Sequence, residues 1–84
     1  MKIYYITFRS VTFAQRGERL LEEAGVRCSL QRTPKWMEAQ GCGYALRVWT
    51  DNIGGVMEVL NRNRVGMRRL YRQDQAGQLE EILS

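Results

Sequence analysis

The sequence predicts an α+β chain, a ferredoxin-like two-layer sandwich, and three observations support that. The hydrophobic period switches between two and 3.6 residues in the order strand, helix, strand, strand, helix, strand, which is the split β-α-β pattern. Right-handed crossovers then place both helices on one face of an antiparallel sheet. The length of 84 residues suits a single domain, 1–84, with a small core. A chain of this size buries roughly 60–65% of the surface that its unfolded form exposes.

Lys2 to Phe8 is rich in β-branched and aromatic residues. Tyr4, Ile6 and Phe8 point one way, and Ile3, Tyr5 and Thr7 the other, so this strand has two fairly apolar faces and suits the middle of a sheet. Ser10 offers a helix N-cap, and apolar or small residues at 13, 14, 17, 20, 21 and 24 make one helical stripe. Arg16, Glu18, Arg19, Glu22 and Glu23 fall on the wet side, and Gly25 ends the helix. Val26, Cys28 and Leu30 alternate with Arg27, Ser29 and Gln31 as a half-buried strand, with Cys28 read as a core thiol.

Residues 32 to 43 form a connection that Pro34 keeps out of any ladder, with room for one helical turn from Lys35 to Ala39. Tyr44, Leu46 and Val48 alternate with Ala45, Arg47 and Trp49 in a third strand. Asp51 is the expected cap of a second helix running to about Asn63, with Ile53, Val56, Met57 and Leu60 inward. Gly54 and Gly55 in its first turn are poor helix formers, best explained by close packing on the sheet. Met67 to Arg72 reads as a fourth, arginine-rich strand at a sheet edge. Gln78 to Leu83 reads as a short terminal helix. If Gln31 faces Tyr44 across the hairpin, Cys28 pairs near Arg47, too far from Cys42 for a disulfide.

Composition removes several function classes. The chain has no histidine, so Ser-His and Cys-His nucleophile pairs are absent and a self-sufficient hydrolase is not expected. Two cysteines and carboxylates alone make a poor zinc site, so neither a metal nor another cofactor is expected. No apolar run approaches the ~20 residues of a membrane span. Lys2 leads straight into strand-like sequence without a signal-peptide pattern, and a cytoplasmic location is the expectation. The net charge of +4, carried mainly by arginine, fits an anionic partner or simply a basic soluble protein.

Chemistry, if the chain performs any, centres on Thr33-Pro34-Lys35 followed by Gly41-Cys42-Gly43. Glycines on both sides remove the side chains that would bury the thiol of Cys42. Arg32 and Lys35 are the cations placed to favour its thiolate, the form that reacts. The other reading of Cys42, a small half-buried residue starting the third strand, stays open.

Phe8-Arg9-Ser10, then Ala14, Glu18, Leu21-Glu22-Glu23-Ala24-Gly25, Thr33-Pro34-Lys35 and Cys42-Gly43-Tyr44-Ala45-Leu46-Arg47 together resemble the small bacterial selenium/sulfur carrier protein-like family, a domain of unknown function. The resemblance covers roughly the first half of the chain and the layout of the second. It implies a carrier rather than an enzyme, with Cys42 accepting a chalcogen atom as a persulfide and passing it on. The implied partner is a sulfur- or selenium-handling enzyme. Lys35 stands where the family usually has arginine, and Glu38 or Ala39 where it has serine.

A different class of function rests on the sheet face away from the helices, which would carry Tyr5, Arg27, Ser29, Gln31, Arg47 and Trp49. An uncovered face with aromatics and arginines suits a nucleic acid, a protein partner or a second copy of the chain. Gly43 to Trp49 partly echoes the RNP1 signature of RNA-recognition modules. Parity opposes the standard form: exposing Tyr44 and Leu46 would turn Arg47 into the core, unpaired.

Overall fold

The computed structural model describes residues 1–33 and 43–83. The helical turn expected at 35–39 lies outside them. Among the described residues, five strands form one antiparallel sheet of an α+β fold: β1 (Lys2–Phe8), β2 (Arg27–Arg32), β3 (Tyr44–Thr50), β4 (Met67–Gln73) and β5 (Leu79–Leu83), in spatial order β2-β3-β1-β4-β5. Two helices, α1 (Val11–Glu23) and α2 (Ile53–Arg62), contribute the other layer.

The central position of β1 follows from its two apolar faces. It pairs with β3 on one side, Ile6 opposite Leu46, and with β4 on the other, Ile6 opposite Leu70. Tyr4, Ile6 and Phe8 meet Leu46, Val48 and Leu70 in one cluster with Ala14 and Leu21 of α1 and Val56 and Leu60 of α2. Phe8, Ile6, Leu21, Leu46 and Leu60 are wholly buried, each side chain worth about 1.5–3 kcal/mol of apolar transfer. Gly17 brings α1 close: a Cβ there would meet the Phe8 ring at 3.2 Å and Leu60 at 3.4 Å.

The Ser10 hydroxyl accepts from the Phe13 amide at 3.2 Å and so caps α1, as the sequence indicates. Gly25 follows the Ala24 cap with φ of 80°, a left-handed angle that glycine takes without strain. Glu18 does not stay on the wet side. Its carboxylate accepts from the Leu30 amide at 3.1 Å, satisfying a backbone donor of the edge strand β2.

Five other expectations are corrected. The cap of α2 is Asn52, not Asp51: its side-chain oxygen accepts from the Gly55 amide at 3.1 Å, while its own amide donates to the Thr50 hydroxyl at 2.9 Å. Gly55 serves that cap rather than the sheet, since a Cβ there would lie 2.7 Å from the Asn52 amide nitrogen; Gly54 is exposed and would meet only Asn52, at 3.7 Å. The β2–β3 register places Arg32, not Gln31, opposite Tyr44, so Cys28 faces Val48.

The expected terminal helix is instead β5, which makes the chain order β-α-β-β-α-β-β and moves β4 inside the sheet. Charge explains the pairing: Arg69 bonds Glu81 at 2.7 Å, and Arg72 reaches Glu80 at 3.4 Å across the two strands. Leu79, Ile82 and Leu83 fit a helical stripe, but a two-turn helix there would gain little on its own.

Chemical denaturation of glycine variants tests this packing. Gly17→Leu is expected to lower stability by about 1–3 kcal/mol through overpacking against Phe8 and Leu60. Gly54→Ala should raise it by about 0.5–1 kcal/mol through helix propensity. A neutral Gly17→Leu would contradict the close approach of α1.

Candidate functional site

Strand parity sets which side chains leave the core. Ile3, Tyr5 and Thr7 of β1 lie beside Trp49, Arg47 and Ala45 of β3, and beside Gln73, Tyr71 and Arg69 of β4. Across β3, Arg27, Ser29 and Gln31 pair with Trp49, Arg47 and Ala45. The face expected from the sequence is therefore assembled: Tyr5, Arg27, Arg47 and Trp49 lie together on it, opposite the cluster that packs the helices.

These four side chains engage one another. The Arg27 guanidinium lies 4.6 Å from the centre of the Trp49 ring, and that of Arg47 lies 4.8 Å from the same ring and 5.8 Å from Tyr5. Such cation–π contacts hold arginines against a sheet without a carboxylate partner. The face is also less open than an uncovered sheet would be: Thr7, Ala45 and Tyr71 are buried on it. Long side chains provide part of the cover. The Arg69–Glu81 bridge spans strands beside Tyr71, whose phenol is pushed above its ordinary value by burial and by Glu81, with Arg69 opposing.

The other candidate region is the end of the sheet where β2 and β3 join. Thr33 donates its amide to the Gly43 carbonyl at 3.0 Å, extending the ladder by one step. Gly43 has φ of 86°, in the left-handed region, which accounts for glycine there. Arg32 is exposed and lies 5.5 Å from the Tyr44 ring centre, while the Thr33 hydroxyl is buried without a hydrogen-bond partner among the described residues. Pro34, Lys35, Gly41 and Cys42 lie outside the described residues.

Strand direction brings further cations to this end. Thr7 pairs with Ala45, and Phe8 with Met67, so Arg9 and the start of β4 share the end occupied by Gly43. Arg9, Arg68, Arg69 and Met67 line a hollow of about 270 Å³ there. The sequence reading missed this grouping because it took the arginines of β4 as edge charges. The signal was present in Phe8-Arg9, once β1 was set at the centre beside β4.

Cys28 is a free, half-buried thiol on the helix side of β2. Its Sγ donates to the Glu18 carbonyl at 3.7 Å. Burial first, then the negative charges of Glu22 and Glu18, push it up to about 11. The core reading of Cys28 fits this position, and a thiol so protonated is a poor nucleophile near neutrality. Among the described residues, no group of three metal-ligating side chains occurs and no helix is long and apolar enough to cross a membrane.

The raised thiol gives a pH prediction. The folded state holds this proton more tightly than the unfolded one, so the contribution is constant below about 9 and declines as pH rises from about 9 toward about 11. In Cys42→Ser, iodoacetamide should modify Cys28 with a rate that keeps rising beyond pH 9, followed by mass spectrometry. A rate that levels off at or below pH 9 would contradict the protected position.

Comparison with known proteins follows the same geometry. A family model described as "Putative Se/S carrier protein-like" matches residues 3–72, spanning β1 through nearly all of β4 and both cysteines. No curated protein and no solved structure matches the chain. With 70 of its 84 residues within that match, the chain belongs to the Se/S carrier protein-like family.

Proposed function

We propose that the chain is a sulfur or selenium carrier that holds one chalcogen atom on Cys42 and does not itself catalyse a reaction. The observation that carries this reading is the unequal standing of its two cysteines within a carrier-like family. Cys28 is half buried, bonded to a helix carbonyl and held protonated by burial and two carboxylates. That leaves Cys42, flanked by glycines in the sequence, for the exchange chemistry. The cations at the sheet end that holds Gly43, namely Arg9, Arg32 and Arg68, support a thiolate in that neighbourhood.

The exchange needs no general acid or base. The Cys42 thiolate attacks the outer sulfur of a donor persulfide, a new S–S bond forms, and the donor's own sulfur leaves as a thiolate. Attack by an acceptor thiolate on the outer sulfur of the Cys42 persulfide reverses the step and restores the Cys42 thiolate. Selenium follows the same course with a selenium atom in the outer position. No redox change occurs overall, so the partner is a sulfur- or selenium-handling enzyme and no resident cofactor is required.

Nucleic-acid binding by the sheet face is less well supported. Trp49 and Tyr5 already have guanidinium groups against their rings, and a stacking base would have to displace them. Docking of a protein partner or a second copy on this face has no comparable obstacle.

Persulfide loading tests the reading. Incubation with a low-molecular-weight persulfide should add about 32 mass units (about 80 for a selenium donor) on Cys42 and none on Cys28, and Cys42 should alkylate at least about tenfold faster than Cys28 at pH 7.5. Equal reactivity of the two thiols, or loading that persists in Cys42→Ser, would remove the proposal.

A further inference from the structure

Two consecutive arginines of β4, Arg68 and Arg69, line one hollow, although neighbours along a strand ordinarily point to opposite faces. A β-bulge explains the exception. Thr7 pairs with Arg69 and Phe8 with Met67, so one step along β1 spans two along β4, and Arg68 is the extra residue. Such an insertion bends the strand and re-aims its side chains. The bulge is secured by the wholly buried Thr7, whose hydroxyl accepts from the Arg69 amide at 3.1 Å.

Arg9 reaches the same hollow from the residue that follows β1. Its stem lies along Gly66, where a Cβ would stand 3.6 Å from Arg9 Cδ and 3.2 Å from the Phe13 ring. Three arginines therefore converge on about 270 Å³, and among the described residues no carboxylate belongs to that wall. Arg69 is held by Glu81 at 2.7 Å. Arg9 and Arg68 are exposed and pair with no carboxylate among the described residues, which leaves two positive charges unanswered at one opening.

We propose that this hollow binds a dianionic phosphate group, as a small monoester or as free phosphate, held by Arg9 and Arg68 with Arg69 in its wall. The charge and the chemistry of the wall select that class. A phosphate monoester carries about −1.5 to −2 at pH 7 and offers three acceptor oxygens to the guanidinium forks. A carboxylate or a phosphodiester brings a single charge and leaves one arginine unanswered. A cation is repelled by all three. Arginine suits the task better than lysine, because its planar fork binds two phosphate oxygens at once. The site draws on no residue between Thr33 and Gly43, so it stands or falls apart from the carrier reading.

The test is NMR titration of the full chain, at pH 7.5 and fixed ionic strength, with inorganic phosphate, methyl phosphate, dimethyl phosphate and acetate. The two dianions are expected to shift the amides of Arg9, Arg68 and Arg69 in a saturable way, and the two monoanions to bind at least about tenfold more weakly. Whichever dianion binds tighter identifies free phosphate or an ester as the source. Arg9→Gln and Arg68→Gln should each weaken phosphate by about tenfold or more. Arg19→Gln removes the same charge from an exposed position on α1 and should leave binding within about twofold. The wild-type ligand comparison stands even if a variant fails to fold. Absence of saturable shifts at these residues, or an equal loss in Arg19→Gln, would overturn the assignment. So would equally tight binding of dimethyl phosphate, the mark of a nucleic-acid backbone, or of acetate, the mark of an acidic peptide.

Discussion

The pairing of β1 with β3 is the constraint on which the rest of the structure depends. Ile6 opposite Leu46 and Tyr4 opposite Val48 put Tyr4, Ile6 and Phe8 on the helix side together with Leu46 and Val48. A slip of one residue would reverse all of them. It would drive Arg47 toward the helices and expose Leu46 and Val48 to water. The cost of burying an unpaired guanidinium exceeds what any single aromatic contact on the other face returns. The register therefore fixes the core, against which Cys28 packs from β2, and the arginine–aromatic arrangement outside it.

Much of the fold was legible because that constraint is written twice, in the alternation of Tyr4, Ile6 and Phe8 and in that of Leu46 and Val48. The first helix was equally plain, since Ser10, the stripe around Ala14, Gly17 and Leu21, and Gly25 all specify it together. The tail was misread for a physical reason. Leu79, Ile82 and Leu83 have helical spacing, and two glutamates favour a helix, yet the segment is too short to hold one without packing. What decides its state is non-local: the exposed edge of β4 and its arginines, whose partners are those same glutamates. The second helix shows a smaller version of the same limit. Asp51 and Asn52 both suit an N-cap, and only the turn geometry after Thr50 selects Asn52.

The residues of the candidate sheet face were legible in the sequence, their arrangement less so. Tyr5, Arg27, Arg47 and Trp49 were placed on one face by parity alone, and they lie there. Their mutual engagement could not be read from parity, because it depends on side-chain directions across three strands. The same holds for Arg9, whose neighbours come from β4. Cys28 was correctly read as a core thiol, although the part of Glu18 was not. A residue counted on the wet side of α1 instead bonds β2 twice, through its carboxylate to Leu30 and its carbonyl to the thiol.

Those two hydrogen bonds to β2 bear on the division of labour proposed for the thiols. A protein carrying a transferable sulfur must not let its second cysteine capture the cargo, for a nearby thiolate would take the outer sulfur or close a disulfide. On the proposed carrier reading, holding Cys28 as a protonated thiol beside α1 would suppress that side reaction without removing the cysteine. Arginine suits the opposite task, because its charge survives at any physiological pH and cannot itself act as a competing nucleophile. A chain rich in arginine, without histidine, and with one thiol held back is thus chemically consistent with transfer by exchange alone. On that proposed reading, the acid–base work, where any is needed, falls to the partner that loads or unloads it.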